Sequence, residues 1–88
     1  MKLKYSFDAV NMGDEIISVP VGEGADQLHG VIKLNQSGHE ILELLKEEIT
    51  EDAIVDILAS KYDNKKEDIR DYVKHIIDIL YNEGIIEI

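Results

Sequence analysis

The first third of the chain has the two-residue apolar periodicity of β-strands. In the first predicted strand Tyr5, Phe7 and Ala9 alternate with polar neighbours, and the pattern can extend to Asn11. The second predicted strand is segment 15–21, which is rich in β-branched residues. The pair Gly13-Asp14 between them has turn chemistry. Because proline lacks an N–H donor, we expect the second strand to end near Pro20 or to leave that position unpaired.

A third strand is predicted from about Leu28 to Leu34, after a loop over residues 22–26 that contains two glycines. The alternation divides its residues between two faces. One face holds Leu28, Gly30, Ile32 and Leu34, and the other holds His29, Val31 and Lys33. The three strands together predict an antiparallel meander.

Helical periodicity begins after the third strand. Asn35 or Ser37 is a suitable N-cap for a first helix that we expect to run from about Ser37 to Glu48. Thr50 is a second N-cap, followed by acidic residues that suit a helix N-terminus. The second helix is predicted to end near Tyr62.

A longer third helix is predicted from about Lys66 to Asn82, with one apolar face made by Ile69, Val73, Ile76, Ile77 and Leu80. Gly84 suits the position just past its end. Residues 85–88 are predicted to form a short strand or an apolar tail. The fold class is therefore α+β and winged-helix-like: a three-stranded antiparallel N-terminal sheet packs on three helices, in one domain over residues 1–88.

Composition narrows the possible functions. There are 88 residues without a cysteine, which excludes disulfides, thiolate metal sites and a cysteine nucleophile. The net charge of -10 disfavours nucleic acid as a partner. We find neither a membrane-spanning run nor a signal peptide, so the sequence predicts a soluble, cytoplasmic protein without membrane partners.

Side chains that could perform chemistry are scattered along the sequence. His29, His39 and His75 lie on different predicted elements, so we interpret them as surface histidines, with His29 as a possible peptide contact. Acidic pairs lie at helix ends without the spacing of a calcium loop, and Gly22-Glu23-Gly24 lacks the rest of a nucleotide-binding motif. The sequence predicts no enzyme activity, no metal and no cofactor.

Two longer stretches resemble the PqqD-like family, the peptide recognition elements of ribosomal peptide modification pathways. The first is VIKLNQSGHEILELLKEEITEDAIVDILASKYD, which is similar to the family's strand ending in Leu-Asn, Glu-Ile-Leu helix and Thr-capped Ile-Val helix. The second is DYVKHIIDILYNEGIIEI, which resembles the family's closing helix followed by glycine and apolar residues. Tyr72, in the second stretch, is interpreted either as a residue at the rim of the core or as a peptide contact.

The resemblance implies a non-catalytic peptide chaperone. In this family a precursor's leader segment adds as an extra strand along the third strand, beside the third helix, and is presented to a modifying enzyme, often a radical SAM protein. Carried onto this chain, the resemblance implies peptide contacts at His29, Gly30, Val31, Ile32, Lys33, Leu34, Asp68, Tyr72 and Ile76. We expect a monomer or a weak homodimer.

Two alternatives remain open. A winged-helix DNA-binding regulator would share the predicted shape, although the third helix offers Asp68, Asp71 and Asp78 where a recognition helix needs basic or amide side chains. A subunit that stabilises an enzyme without touching its substrate would also fit.

Overall fold

A computed structural model describes residues 1–28 and 30–88. The strands are β1 (Lys2–Leu3), β2 (Ser6–Asn11), β3 (Ile16–Val21), β4 (Ile32–Leu34) and β5 (Ile86–Glu87). The helices are α1 (Gln36–Leu44), α2 (Glu51–Lys61) and α3 (Lys66–Asn82), and a short 3-10 helix spans Ala25–Gln27. The predicted α+β fold is confirmed.

The main sheet is the predicted antiparallel meander, in the order β2-β3-β4. A two-residue hairpin joins β2 to β3: the Met12 N–H donates to the Glu15 carbonyl at 2.8 Å, and Gly13 has a φ of 96°. Phe7 is the register partner of Pro20. Counted from the hairpin, this is a non-hydrogen-bonded pair, so the ladder with β2 needs no donor from Pro20.

The third strand of the sheet is shorter than predicted. It begins at Ile32 rather than at Leu28, because Gly30 has a φ of 102° and therefore does not continue an extended strand. The predicted strand residue His29 lies outside the described residues. β4 pairs with β3 through three residues, with Ile16 opposite Leu34 and Ser18 opposite Ile32.

Capping residues set three of the helix ends. The Asn35 side chain accepts from the Gly38 N–H at 2.9 Å, and the Thr50 side chain accepts from the Ala53 N–H at 3.1 Å. α3 spans the predicted residues and ends in a Schellman motif, with Gly84 at a φ of 74° and the Ile85 N–H donating to the Leu80 carbonyl at 2.9 Å.

The first helix ends before the predicted Glu48, and the N-terminal segment explains why. The Leu45 carbonyl accepts from the Leu3 N–H at 2.8 Å, and the Ile49 N–H donates to the Met1 carbonyl at 3.0 Å. In a longer helix the Ile49 N–H would donate to the Leu45 carbonyl, but here both groups are already bonded to the N-terminal segment. Leu3 belongs to β1, which pairs with β5 in a separate two-stranded sheet that the sequence patterns did not predict.

One hydrophobic cluster joins β1 and β5 to the three helices, and Phe7 of β2 packs against it. Its buried members include Leu45, Ile54, Val73 and Leu80, and Ile32 and Leu34 of β4 pack against it. The exposed pair Arg70 and Asp52, 2.6 Å apart, links α3 to α2 but contributes little stability. Within the described ranges, no helix has the length and apolar character needed to cross a membrane.

Candidate functional site

β4 lies at one edge of the main sheet. Among the described residues, no strand pairs with the side of β4 that is turned away from β3, which we call the β4 edge. Such an edge presents backbone donors and acceptors that can pair with another extended chain.

The hairpin determines which backbone groups reach the β4 edge. Hydrogen-bonded and non-hydrogen-bonded pairs alternate along an antiparallel ladder, and Met12 and Glu15 form a hydrogen-bonded pair at the hairpin. Counting from that pair, Ile16 and Ser18 turn their backbone groups towards β4. On β4, Ile32 and Leu34 form the hydrogen bonds to β3. Lys33 lies between them, so its N–H and C=O point away from β3, towards the β4 edge.

The side chains of β4 divide between two faces. Ile32 and Leu34 are half-buried against the core, whereas the side chain of Lys33 is exposed on the outer face. Val31, just before the strand, is 46% exposed. The short strand is thus fixed to the core by two side chains while its outward backbone groups remain accessible.

A cleft opens near the carboxyl end of β4, between the N-terminal halves of α1 and α3 and the C-terminal half of α2. It has a volume of about 300 Å³. Its lining is Ser37, Leu58, Tyr62, Asn64, Asp68, Ile69 and Tyr72. An apolar floor with a few polar groups at the rim is the usual composition of a ligand site.

Hydrogen bonds hold both tyrosines of the cleft in place. The Tyr72 hydroxyl donates to Asn35 Oδ1 at 3.0 Å and lies 3.0 Å from Ser37 Oγ, so α3 is tied to the residue that follows β4. The Tyr62 hydroxyl donates to Glu40 Oε1 at 2.8 Å, and this bond to a carboxylate raises the pKa of Tyr62. Because both hydroxyls already have hydrogen-bond partners, the aromatic rings are the parts of the two tyrosines that are mainly available for contact with a ligand.

The predicted helix contacts fall in two environments. Asp68 and Tyr72 line the cleft, with Asp68 exposed at its rim. Ile76 is only 6% exposed, belongs to the core and does not line the cleft. Leu58 and Tyr62 were not predicted as site residues, because their place in the cleft depends on how α2 packs against α3.

Other candidate groups do not converge on the cleft. His39 is largely covered and lies 3.0 Å from Glu43, one turn along α1, whereas His75 is exposed on α3. No group of three or more His, Cys, Asp or Glu side chains in the described part of the chain could hold a metal ion. α3 exposes Asp68, Asp71 and Asp78, so the structure does not favour the DNA-binding alternative.

The molecule is therefore a small α+β domain in which an accessible sheet edge lies near a cleft walled by the third helix. Residues 22–86 match the family model described as coenzyme PQQ synthesis protein D (PqqD), and the chain belongs to this family.

The fold is also similar to that of TbiB1 in its complex with the TbiA(beta) leader peptide. The TM-score is 0.73 at 21% sequence identity, over 99% of this chain and 95% of TbiB1. No curated protein matches the chain in sequence.

Proposed function

We propose that this protein binds the leader segment of a ribosomally synthesised precursor peptide and presents it to a modifying enzyme, without catalysing a reaction itself. The observation that carries the proposal is the β4 edge, where Lys33 turns both backbone groups outward. Tyr72 of the cleft is hydrogen-bonded to Asn35, the residue that follows this strand. Membership of the PqqD family and similarity to a leader-peptide complex support it.

The leader adds as a further strand to the β4 edge. Backbone bonds then supply affinity that depends little on sequence, and side-chain contacts supply selectivity. The cleft near Tyr72 takes an apolar side chain of the leader, while Asp68 at the rim favours a neighbouring Lys or Arg. The Val31 side chain borders the same edge, and His29 and Gly30 remain proposed contacts just before it.

Presentation raises the concentration of the precursor near its enzyme. A carrier that holds both partners makes their encounter effectively intramolecular. We propose a radical SAM protein as the enzyme, in line with the family resemblance. Such a role requires no catalytic group and no cofactor on this chain.

The binding proposal is tested by titration with the synthetic leader segment of a candidate precursor peptide. We expect the amide resonances of Val31, Lys33 and Leu34 to shift, together with that of Tyr72, while those of β1 and β5 stay in place. Amide exchange at Lys33 should slow, since its N–H gains a partner. Saturating binding with all four resonances unmoved would contradict strand addition at β4.

Tyr72 gives a second prediction. Its replacement by alanine removes one wall of the cleft and the link to Asn35, so we expect leader affinity to fall about thirtyfold, as for an interface aromatic worth about 2 kcal/mol. Isothermal calorimetry measures the change.

Two variants control for other effects of that substitution. Tyr72→Phe keeps the ring and loses only the hydroxyl bonds, so its affinity should fall less than about tenfold. Tyr81→Ala removes a tyrosine of the same helix that is 54% exposed and does not line the cleft, and its affinity should stay near native. Equal losses in Tyr72→Ala and Tyr81→Ala would contradict the role of the cleft.

A further inference from the structure

The middle position of β4 differs chemically from the rest of its surroundings in the sheet. Lys33 is the only charged residue of β3 and β4, whose sequences are IISVPV and IKL, and its side chain is exposed. Lys46 and Lys66 each lie 2.7 Å from a carboxylate oxygen, whereas Lys33 has no carboxylate partner among the described residues. One ammonium group without an ion-pair partner therefore lies at the centre of the strand that forms the β4 edge.

The register of the sheet places Lys33 at the end of an apolar row. Ile17 of β3 is the register partner of Lys33, and Val10 of β2 is the register partner of Ile17. Residues directly opposite each other on neighbouring strands turn their side chains to the same face. The neighbour of Lys33 within this row is thus apolar, and the next position in the row belongs to the strand that adds at the β4 edge.

An added strand fills that position in either orientation. Because Lys33 turns its N–H and C=O outward, it bonds to one leader residue in an antiparallel addition and to the two flanking residues in a parallel one. In both cases one leader side chain lies beside that of Lys33 on the outer face, with the Cβ atoms on the order of 5 Å apart.

The two adjacent residues of the leader have a different environment. Side chains alternate between the faces of a strand, so these two point to the inner face, beside Ile32 and Leu34. Both of those side chains are half-buried against the hydrophobic core. The inner positions therefore suit apolar side chains, whereas the outer position between them faces an ammonium group.

We propose that Lys33 selects an acidic residue, Asp or Glu, at the leader position beside it. Opposite charges directly across neighbouring strands stabilise their pairing, and like charges destabilise it. The inference rests on the proposed function and names the class of leader that the β4 edge takes: a strand in which one acidic residue lies between two apolar residues.

The net charge of the chain makes this preference easy to recognise. A chain with a net charge of -10 favours a basic over an acidic residue at most positions of a bound peptide. At about 0.15 M salt the Debye length is about 8 Å, so the nearest charges dominate at each position. The leader position beside Lys33 should therefore prefer Glu to Lys, against the trend of the other positions.

A charge scan of the peptide tests the selection. The probe is the synthetic leader segment of a candidate precursor peptide, prepared as a series in which each residue in turn is replaced by Glu or by Lys. In calorimetry with the native protein, we expect one position at which the Glu form binds about fivefold more tightly than the Lys form. At the two adjacent positions, both replacements should weaken binding several-fold.

Variants at position 33 identify the group that is responsible. Lys33→Glu should reverse the preference at that one leader position, and Lys33→Gln should abolish it without reversing it. Lys74→Glu makes the same charge change at an exposed lysine of α3 and should leave the preference in place. Far-ultraviolet circular dichroism confirms that the three variants fold.

The outcomes separate this inference from the binding proposal on which it rests. If the peptides bind and slow amide exchange at Lys33, but no position prefers Glu or the preference survives in Lys33→Glu, selection by Lys33 is overturned while strand addition stands. If no peptide of the series binds the native protein, the proposed function is overturned and the inference with it.

Discussion

Replacing Leu80 by alanine should leave the protein close to unfolding. Leu80 is fully buried in the cluster that joins the sheets to the helices, and it lies in the last turn of α3. Truncating a buried leucine removes its transfer free energy and leaves a cavity, at a cost of about 2–5 kcal/mol. Small domains have a free energy of unfolding of only about 5–15 kcal/mol, so this loss is a large part of the total.

Urea denaturation followed by circular dichroism measures the effect. We expect the midpoint to fall strongly while the slope stays the same, because the surface exposed on unfolding changes little. Ile79→Ala is the matched control: it alters the preceding residue of the same helix, whose side chain is 39% exposed, and should cost less than about 1 kcal/mol. Similar losses in the two variants would mean that the core does not depend on Leu80.

Features fixed by neighbouring residues were predictable from the sequence. Thr50 caps α2 and Gly84 ends α3 as predicted, because a cap involves only residues within a few positions along the chain. The bounds of α3 also followed from its apolar periodicity, since one face of this helix is buried along most of its length.

Features that depend on distant residues were not predictable. The pairing of β1 with β5 joins the two ends of the described chain, and the Leu3 bond to the Leu45 carbonyl shortens α1. The alternation of residues 28–34 suggested a longer strand, yet the backbone of Gly30 interrupts it. Sequence patterns report which face of an element is apolar, but not which other element covers it.

The candidate site illustrates the same division. The family resemblance implied a peptide contact at Tyr72, but no sequence pattern could predict its hydrogen bond to Asn35, which spans 37 positions. The outward direction of the Lys33 backbone follows from the hairpin register, which only the structure supplies. Alternation alone could place the side chain of Lys33 on the outer face, but not show that the neighbouring edge is accessible.

Lys33→Pro should abolish leader binding while keeping the fold. The substitution deletes the outward N–H at the middle of the β4 edge and places ring carbons where the added strand would approach. A leader carbonyl would then lose its partner, at a cost of about 1–3 kcal/mol, in addition to the steric conflict. We expect calorimetry to show at least a hundredfold loss of affinity, about 2.7 kcal/mol at 1.36 kcal/mol per factor of ten.

Lys33→Ala separates the backbone from the side chain. This variant removes the same ammonium group but keeps the N–H donor, so its affinity should fall only a few-fold. The ladder with β3 uses Ile32 and Leu34, which neither variant changes, and both should unfold at nearly the native urea concentration. A leader that binds Lys33→Pro as tightly as Lys33→Ala would show that the peptide lies elsewhere, since no strand can add to this edge without meeting position 33.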